Sequence, residues 1–112
     1  GYTYDPRLNL MQSGSIGGSK FPNDKYFDPD YELHLGHGTR THTQFVELLP
    51  FQDKPQILLS IKMVAATNVR KPNVDYSARV ENVTTSGFVT VFETNENRVN
   101  AYELDWLAFF TR

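Results

Sequence analysis

Apolar and polar residues alternate through the last third of the chain. Val74, Tyr76, Ala78 and Val80 are apolar, and Asp75, Ser77, Arg79 and Glu81 between them are polar. A period of two puts the two sets on opposite faces of a pleated strand, whereas a helix needs apolar residues three and four apart. Thr84–Gly87 supplies turn residues, with Gly87 free to take positive φ. Phe88–Phe92 is β-branched and aromatic, which predicts a return strand. Asn95–Asn97 is a second turn. Tyr102, Leu104, Trp106, Ala108 and Phe110 then alternate with Glu103, Asp105, Leu107 and Phe109 as a final strand. Trp106 and Phe110 fall on its inner face, as core residues rather than ligand contacts.

Upstream, Gln56–Val64 is almost continuously apolar, which predicts a strand buried on both faces. Pro50 and Pro55 just before it, and its short length, argue against a helix. Phe45–Leu49 is a shorter strand candidate and Met11–Ile16 a weaker one. The total is about six strands, at the spacing of an all-β sandwich or small barrel. Residues 1–44 are rich in Gly, Pro, Asp, Asn, Tyr and His. The stretch from Gly17 to Thr43 is long for a loop, and loops of that length are usually functional or disordered. Phe21, Tyr26, Phe27 and Tyr31 argue that much of it packs down. Residues 1–10 are expected to be an extension or linker, and residues 11–112 the domain.

Composition narrows the function classes. A chain of 112 residues reads as one domain, large enough for a real core. It has no cysteine, which removes disulfides, thiolate nucleophiles and thiolate metal sites. The net charge is −2 with scattered basic residues, so no patch neutralises phosphates and nucleic acid is not expected. No apolar run reaches the roughly 18 residues of a membrane span. No signal peptide is visible, and a start at Gly1 suggests a processed product or an excised domain.

Four stretches together resemble the H-type lectin domain, the family of snail agglutinins and of the C-terminal module of slime-mould discoidins. They are Met11–Ile16, Pro55–Ile61, Ala78–Val80 running into AsnValThrThrSerGlyPhe (Asn82–Phe88), and Val99 with Leu104, Trp106, Leu107 and Ala108. Their order and spacing fit across about residues 11–110, nearly the whole chain, well beyond one local hairpin pattern. The resemblance implies a six-stranded antiparallel β-sandwich that trimerises. It also implies sugar sites at the trimer edges, often for galactose or N-acetylgalactosamine, and a secreted or cell-surface-facing location.

The sugar-contacting positions of the family are altered in this chain. The slot of its arginine holds Asp75, and the aromatic after the last-turn threonine is replaced by Asn95 after Thr94. Glu96 or Asn97 matches the histidine or acidic residue that follows, Asn100 stands where the family has a tyrosine, and Asp28 or Asp30 is the candidate for the acid of the first long loop. The lost aromatic removes the platform on which a sugar face stacks, and Asp75 can accept hydrogen bonds from hydroxyls but cannot donate. The same polar residues also suit hairpin turns, where Asn and Asp bond their own backbone.

Other chemistry is weakly supported. His34, His37 and His42 have no common period, and a loop-packing or solvent role outweighs a metal site. Asp24, Asp28, Asp30 and Glu32 offer the oxygens calcium takes, but the EF-hand loop pattern is absent, and no cofactor is expected. Arg79 shares a strand face with Asp75 and is expected to pair with it or with another carboxylate. Asn82-Val83-Thr84 is a glycosylation sequon. No GxSxG, HExxH or P-loop pattern occurs, so an enzyme is not expected. The expectation is a non-enzymatic glycan-binding module, its contacts drawn from Asp75, Asn95, Glu96, Asn97, Asn100 and Asp28 or Asp30. The alternative is a structural trimerisation or attachment module of a larger fibre, toxin or adhesin.

Overall fold

A computed structural model describes residues 11–36, 38–67, 76–95 and 97–110, with the Thr67 side chain excepted. Six strands run in chain order as β1 (Met11–Ser19), β2 (Arg40–Glu47), β3 (Gln56–Thr67), β4 (Tyr76–Thr84), β5 (Gly87–Thr94) and β6 (Arg98–Phe109). They form two three-stranded sheets, β1-β6-β3 and β2-β5-β4, with every pairing antiparallel. The expected all-β sandwich is what the chain adopts. Residues 1–10, taken as an extension or linker, lie outside the described residues.

The core lies between the sheets and runs along the two central strands. Phe92 of β5 and Tyr102 of β6 stack at its middle, ring centroids 4.1 Å apart and nearly parallel. Tyr31, Leu33, Val99 and Leu104 join them at one end, and Val46, Leu48, Phe51, Phe88 and Ala108 fill the other. Trp106 and Phe110 pack against that second cluster, as the alternation of the last strand predicts.

Three strands change parity along their length, each at a register shift. In β3 the inner residues pass from Ile57 and Leu59 to Val64 across a shift between Ile61 and Met63. In β4 they pass from Val80 to Val83 across a shift that contains Asn82, whose φ is +53°. In β6 they pass from Val99 to Tyr102, because Ala65 faces Ala101 while Ala66 faces Val99, which leaves Asn100 as the extra residue. An inserted residue moves all later side chains to the other face, so these bulges keep apolar residues inward where simple alternation would turn them out.

Three expectations are corrected here. Gly87 does not carry the positive φ of the β4–β5 hairpin. Among the described residues positive φ falls on Asn82, Gly36 and Gly38, and the hairpin is closed by Thr84 facing Gly87. The strand at Gln56–Val64 is not buried on both faces, since Leu58 is 58% exposed and Ile61 and Met63 also reach solvent. Each sheet covers only the inner face of the other, so the outer face of β3 stays open in a single chain. Finally, His42 is not a loop residue. It sits inside β2, which starts at Arg40 rather than near Phe45.

The long connection from Lys20 to Thr39 is only partly packed. Tyr31 and Leu33 are buried, whereas Phe21 and Phe27 stay exposed. Side chains of Asp24 and Asp28 cap its turns by accepting from the N–H groups of Tyr26 and Asp30, the short-range bonding that makes Asp a turn residue.

Candidate functional site

The β5–β6 turn and the end of the long connection meet at one end of the sandwich. Arg40, first residue of β2, lies between them and faces Thr94 in the ladder. Its Nη2 donates to the carbonyls of Asn95 (3.1 Å) and Asn97 (2.6 Å). Its Nη1 donates to Leu33, Leu35 and Gly36, and its Nε to Gly38 at 2.9 Å. Gly36 and Gly38 take φ of +71° and +86°, a conformation that curls the connection so that its carbonyls converge on the guanidinium.

The turn residues divide in orientation. Asn95 is exposed, and Thr39 Oγ1 donates to its Oδ1 over 3.4 Å. That weak bond occupies the amide oxygen, and the Nδ2 group of the same side chain is a donor. Asn97 is fully buried, its Nδ2 donates to the Tyr76 hydroxyl (3.2 Å), and its carbonyl also accepts from Thr94 Oγ1 (3.0 Å). Asn100, the bulged residue of β6, is nearly buried, and its carbonyl accepts from the Lys20 N–H at 2.9 Å. Asp75 and Glu96 lie outside the described residues. Sequence reasoning passed over Arg40, whose only local signal is the Gly-His-Gly before Thr39, and Tyr76, which gives the buried Asn97 amide its acceptor.

Asp28 belongs to a second cluster, held by the opposite flank of the connection. One carboxylate oxygen accepts from His42 Nε2 (2.9 Å) and the other from the Asp30 N–H (2.9 Å). A carboxylate can only accept, so Nε2 carries the proton, and in the neutral ring Nδ1 accepts from the Tyr102 hydroxyl at 2.6 Å. Tyr31 meets His42 edge-on and stacks on His34, and its hydroxyl donates to the Val99 carbonyl at 2.7 Å. Gly18 makes room for this knot, since a Cβ there would press within 2.9 Å of both the His42 and the Tyr102 rings. Burial pushes the Tyr31 and Tyr102 hydroxyls up, so neither ionises at physiological pH. Asp30 is exposed beside Asp28.

The hydrogen bond from His42, then the Asp30 N–H, holds the Asp28 carboxyl below the usual carboxylate range. A depressed folded-state pKa adds stability that is present above the unfolded value, about 3.9, and is lost as pH falls through the folded value. The parent should therefore lose its stability advantage over Asp28→Asn as pH falls from about 5 through and below the unfolded value of about 3.9. Calorimetric melting of both proteins across that window checks it. A gap that stays constant to the acid end would show that the Asp28 charge contributes nothing.

Other sequence candidates resolve simply. Among the described residues no three His, Asp or Glu side chains gather as a metal-holding group, and His37 lies outside them. Arg79 pairs with Glu81 (3.1 Å) and with Glu93 on the neighbouring strand (3.4 Å), all on the surface. Asn82 of the sequon is exposed. Glu103 is served by the Tyr26 hydroxyl at 2.7 Å and by Lys25 and Lys62 at about 4 Å. Burial, then that bond to Glu103, pushes the Tyr26 hydroxyl up to about 12.

Comparison with known proteins adds three findings. The sequence profile of the H-type lectin domain matches residues 42–109. Two structures of discoidin II from Dictyostelium discoideum, the recombinant and the wild-type protein, superpose with TM-scores of 0.71. They are 26% and 25% identical to this chain and cover 91% of it, while the chain spans only 37% and 36% of theirs. Comparison with curated proteins by sequence finds no match.

Proposed function

The chain belongs to the H-type lectin domain family, and we propose that it is a non-enzymatic carbohydrate-binding module that reads glycan hydroxyls at sites between the subunits of a homotrimer. The observation that carries this reading is the β5–β6 turn. It places Asn95 in solvent on a backbone held at the Asn95 and Asn97 carbonyls. Asp75, Glu96, Asn97 and Asn100 complete the proposed set on one subunit, with Asp28 or Asp30 reaching from the long connection. Of these, Asn95 and Asp30 are open to water and Asp28 half-open, while Asn97 and Asn100 are buried.

Recognition is by hydrogen bonds rather than by stacking. Asn95 offers amide donors where an aromatic platform would stand, and the carboxylates accept from neighbouring hydroxyls. Galactose- or N-acetylgalactosamine-type sugars fit this chemistry, with a preference altered by the lost aromatic. Trimerisation is supported by the outer face of β1-β6-β3, where Met11, Leu58 and Met63 are exposed. Apolar groups clustered on one face mark an association surface. Three shallow sites acting on one glycan-bearing surface gain about 10²–10⁴-fold in avidity without new contacts. Such a module works outside the cell, on cell-surface glycoconjugates.

A printed glycan array on the purified chain, after light scattering has fixed its mass, tests the reading. Saturable binding by a trimer is expected, and Asn95→Ala should abolish it while leaving mass and melting temperature unchanged, because Asn95 is exposed. If Asn95→Ala binds as the parent does, the site lies elsewhere. A trimer with no glycan binding would identify a structural attachment module of a larger fibre, toxin or adhesin instead.

A further inference from the structure

We infer that Arg40 is the positioning residue of the glycan site, setting the place and rigidity of the Asn95 turn without touching the sugar. The inference rests on the reading that glycan binds at that turn. A guanidinium has five N–H donors in a planar fork. In Arg40 all five point at backbone carbonyls, one nitrogen serving the β5–β6 turn and the other two the connection from Leu33 to Gly38. No donor is left for a sugar hydroxyl, so whatever Arg40 does for binding it does through the turn.

The geometry requires arginine. Two loops far apart in sequence are joined by donors diverging from one plane, and a charged donor shortens and strengthens each bond. A lysine ammonium is a single point on a flexible stem and can serve one loop at a time. Thr39 extends the device, since the residue before the clamp holds the Asn95 amide whose backbone the clamp holds. A turn ordered before the ligand arrives loses less freedom on binding, which raises affinity with no added contact.

Arg40→Lys and Arg40→Gln separate this role from a purely structural one, read on an array of galactose- and N-acetylgalactosamine-terminated glycans and by amide exchange. Both variants should bind at least about tenfold more weakly than the parent, since a loosened supporting shell misplaces a site that is otherwise present. The amides of Asn95 and Asn97 should exchange faster, while protection along β2 and β5 stays at the parent level. Three outcomes overturn the inference. In the first, Arg40→Lys binds as the parent does while Asn95→Ala does not, which leaves the lectin reading standing. In the second, binding falls only together with strand protection, which makes Arg40 a folding residue. In the third, the parent binds none of these glycans, and the reading falls as well.

Discussion

Phe92→Ala lowers the stability of the fold by about 3–5 kcal/mol, the usual cost of deleting a large core aromatic. Phe92 is fully buried in β5, the central strand of its sheet. Its ring stacks on Tyr102 at 4.1 Å between centroids and on Tyr76 at 6.2 Å. Tyr102 belongs to β6, the central strand of the opposite sheet, so the Phe92–Tyr102 stack ties the two layers at their middle. Tyr102 is held by ladders on both sides of β6 and Tyr76 by its pairing with β5, so the rings cannot collapse fully into the gap. A domain of this size is stable by only about 5–15 kcal/mol, so the loss is a large share of the total. Urea unfolding measures it as a lower midpoint at unchanged slope. A loss under about 1.5 kcal/mol would mean that the layers close over the cavity and that the stack is not central.

Gly17→Ala is the second large effect, at about 3 kcal/mol, the upper part of the range for overpacking. A Cβ at Gly17 would collide with the Tyr102 carbonyl oxygen and come within 3.2 Å of Glu103 Cα. Both belong to the backbone of β6, which is bonded to β1 on one side and β3 on the other and has no room to retreat. Gly38→Ala is the control. Its φ is +86° but nothing lies within 4 Å of a Cβ there, so only left-handed strain of about 1–2 kcal/mol is expected. Thermal unfolding of the two variants side by side decides it. Equal losses would show that β1 simply lifts away from β6, and that close approach at Gly17 is not required.

The strands that alternate or run apolar were the legible ones. β3, β4, β5 and β6 each carry a stretch whose side chains face one way, and such stretches announce themselves. β2 was read short, because ArgThrHisThrGln (Arg40–Gln44) looks polar. His42 is buried in it only because Asp28 and Tyr102 satisfy both ring nitrogens. The two-sided burial expected of β3 failed because the apolar run continues on a face that the second sheet does not cover. The three bulges were invisible, since each appears in sequence only as a broken alternation.

The site was legible in the same partial way. Turn chemistry marked Asn95–Asn97, but the burial of Asn97 depends on the Tyr76 hydroxyl, 21 positions away. The clamp on the turn comes from Arg40, 55 and 57 positions from the carbonyls it holds. No local pattern encodes such distant partners. The comparison with family positions found the turn, and the backbone bonds explain why it stands where it does.

The shift in β3 between Ile61 and Met63 also governs how this chain can meet its own kind. β3 is an outermost strand, so it offers a line of unpaired backbone groups to any passing extended segment. Lys62, the residue skipped at that shift, interrupts the line with a kink and a solvated ammonium. Charge and bulges on such strands block templated growth of one sheet onto the next. The middle of β3 is thereby made a poor template for any further strand, whether from another copy or from an unfolded chain.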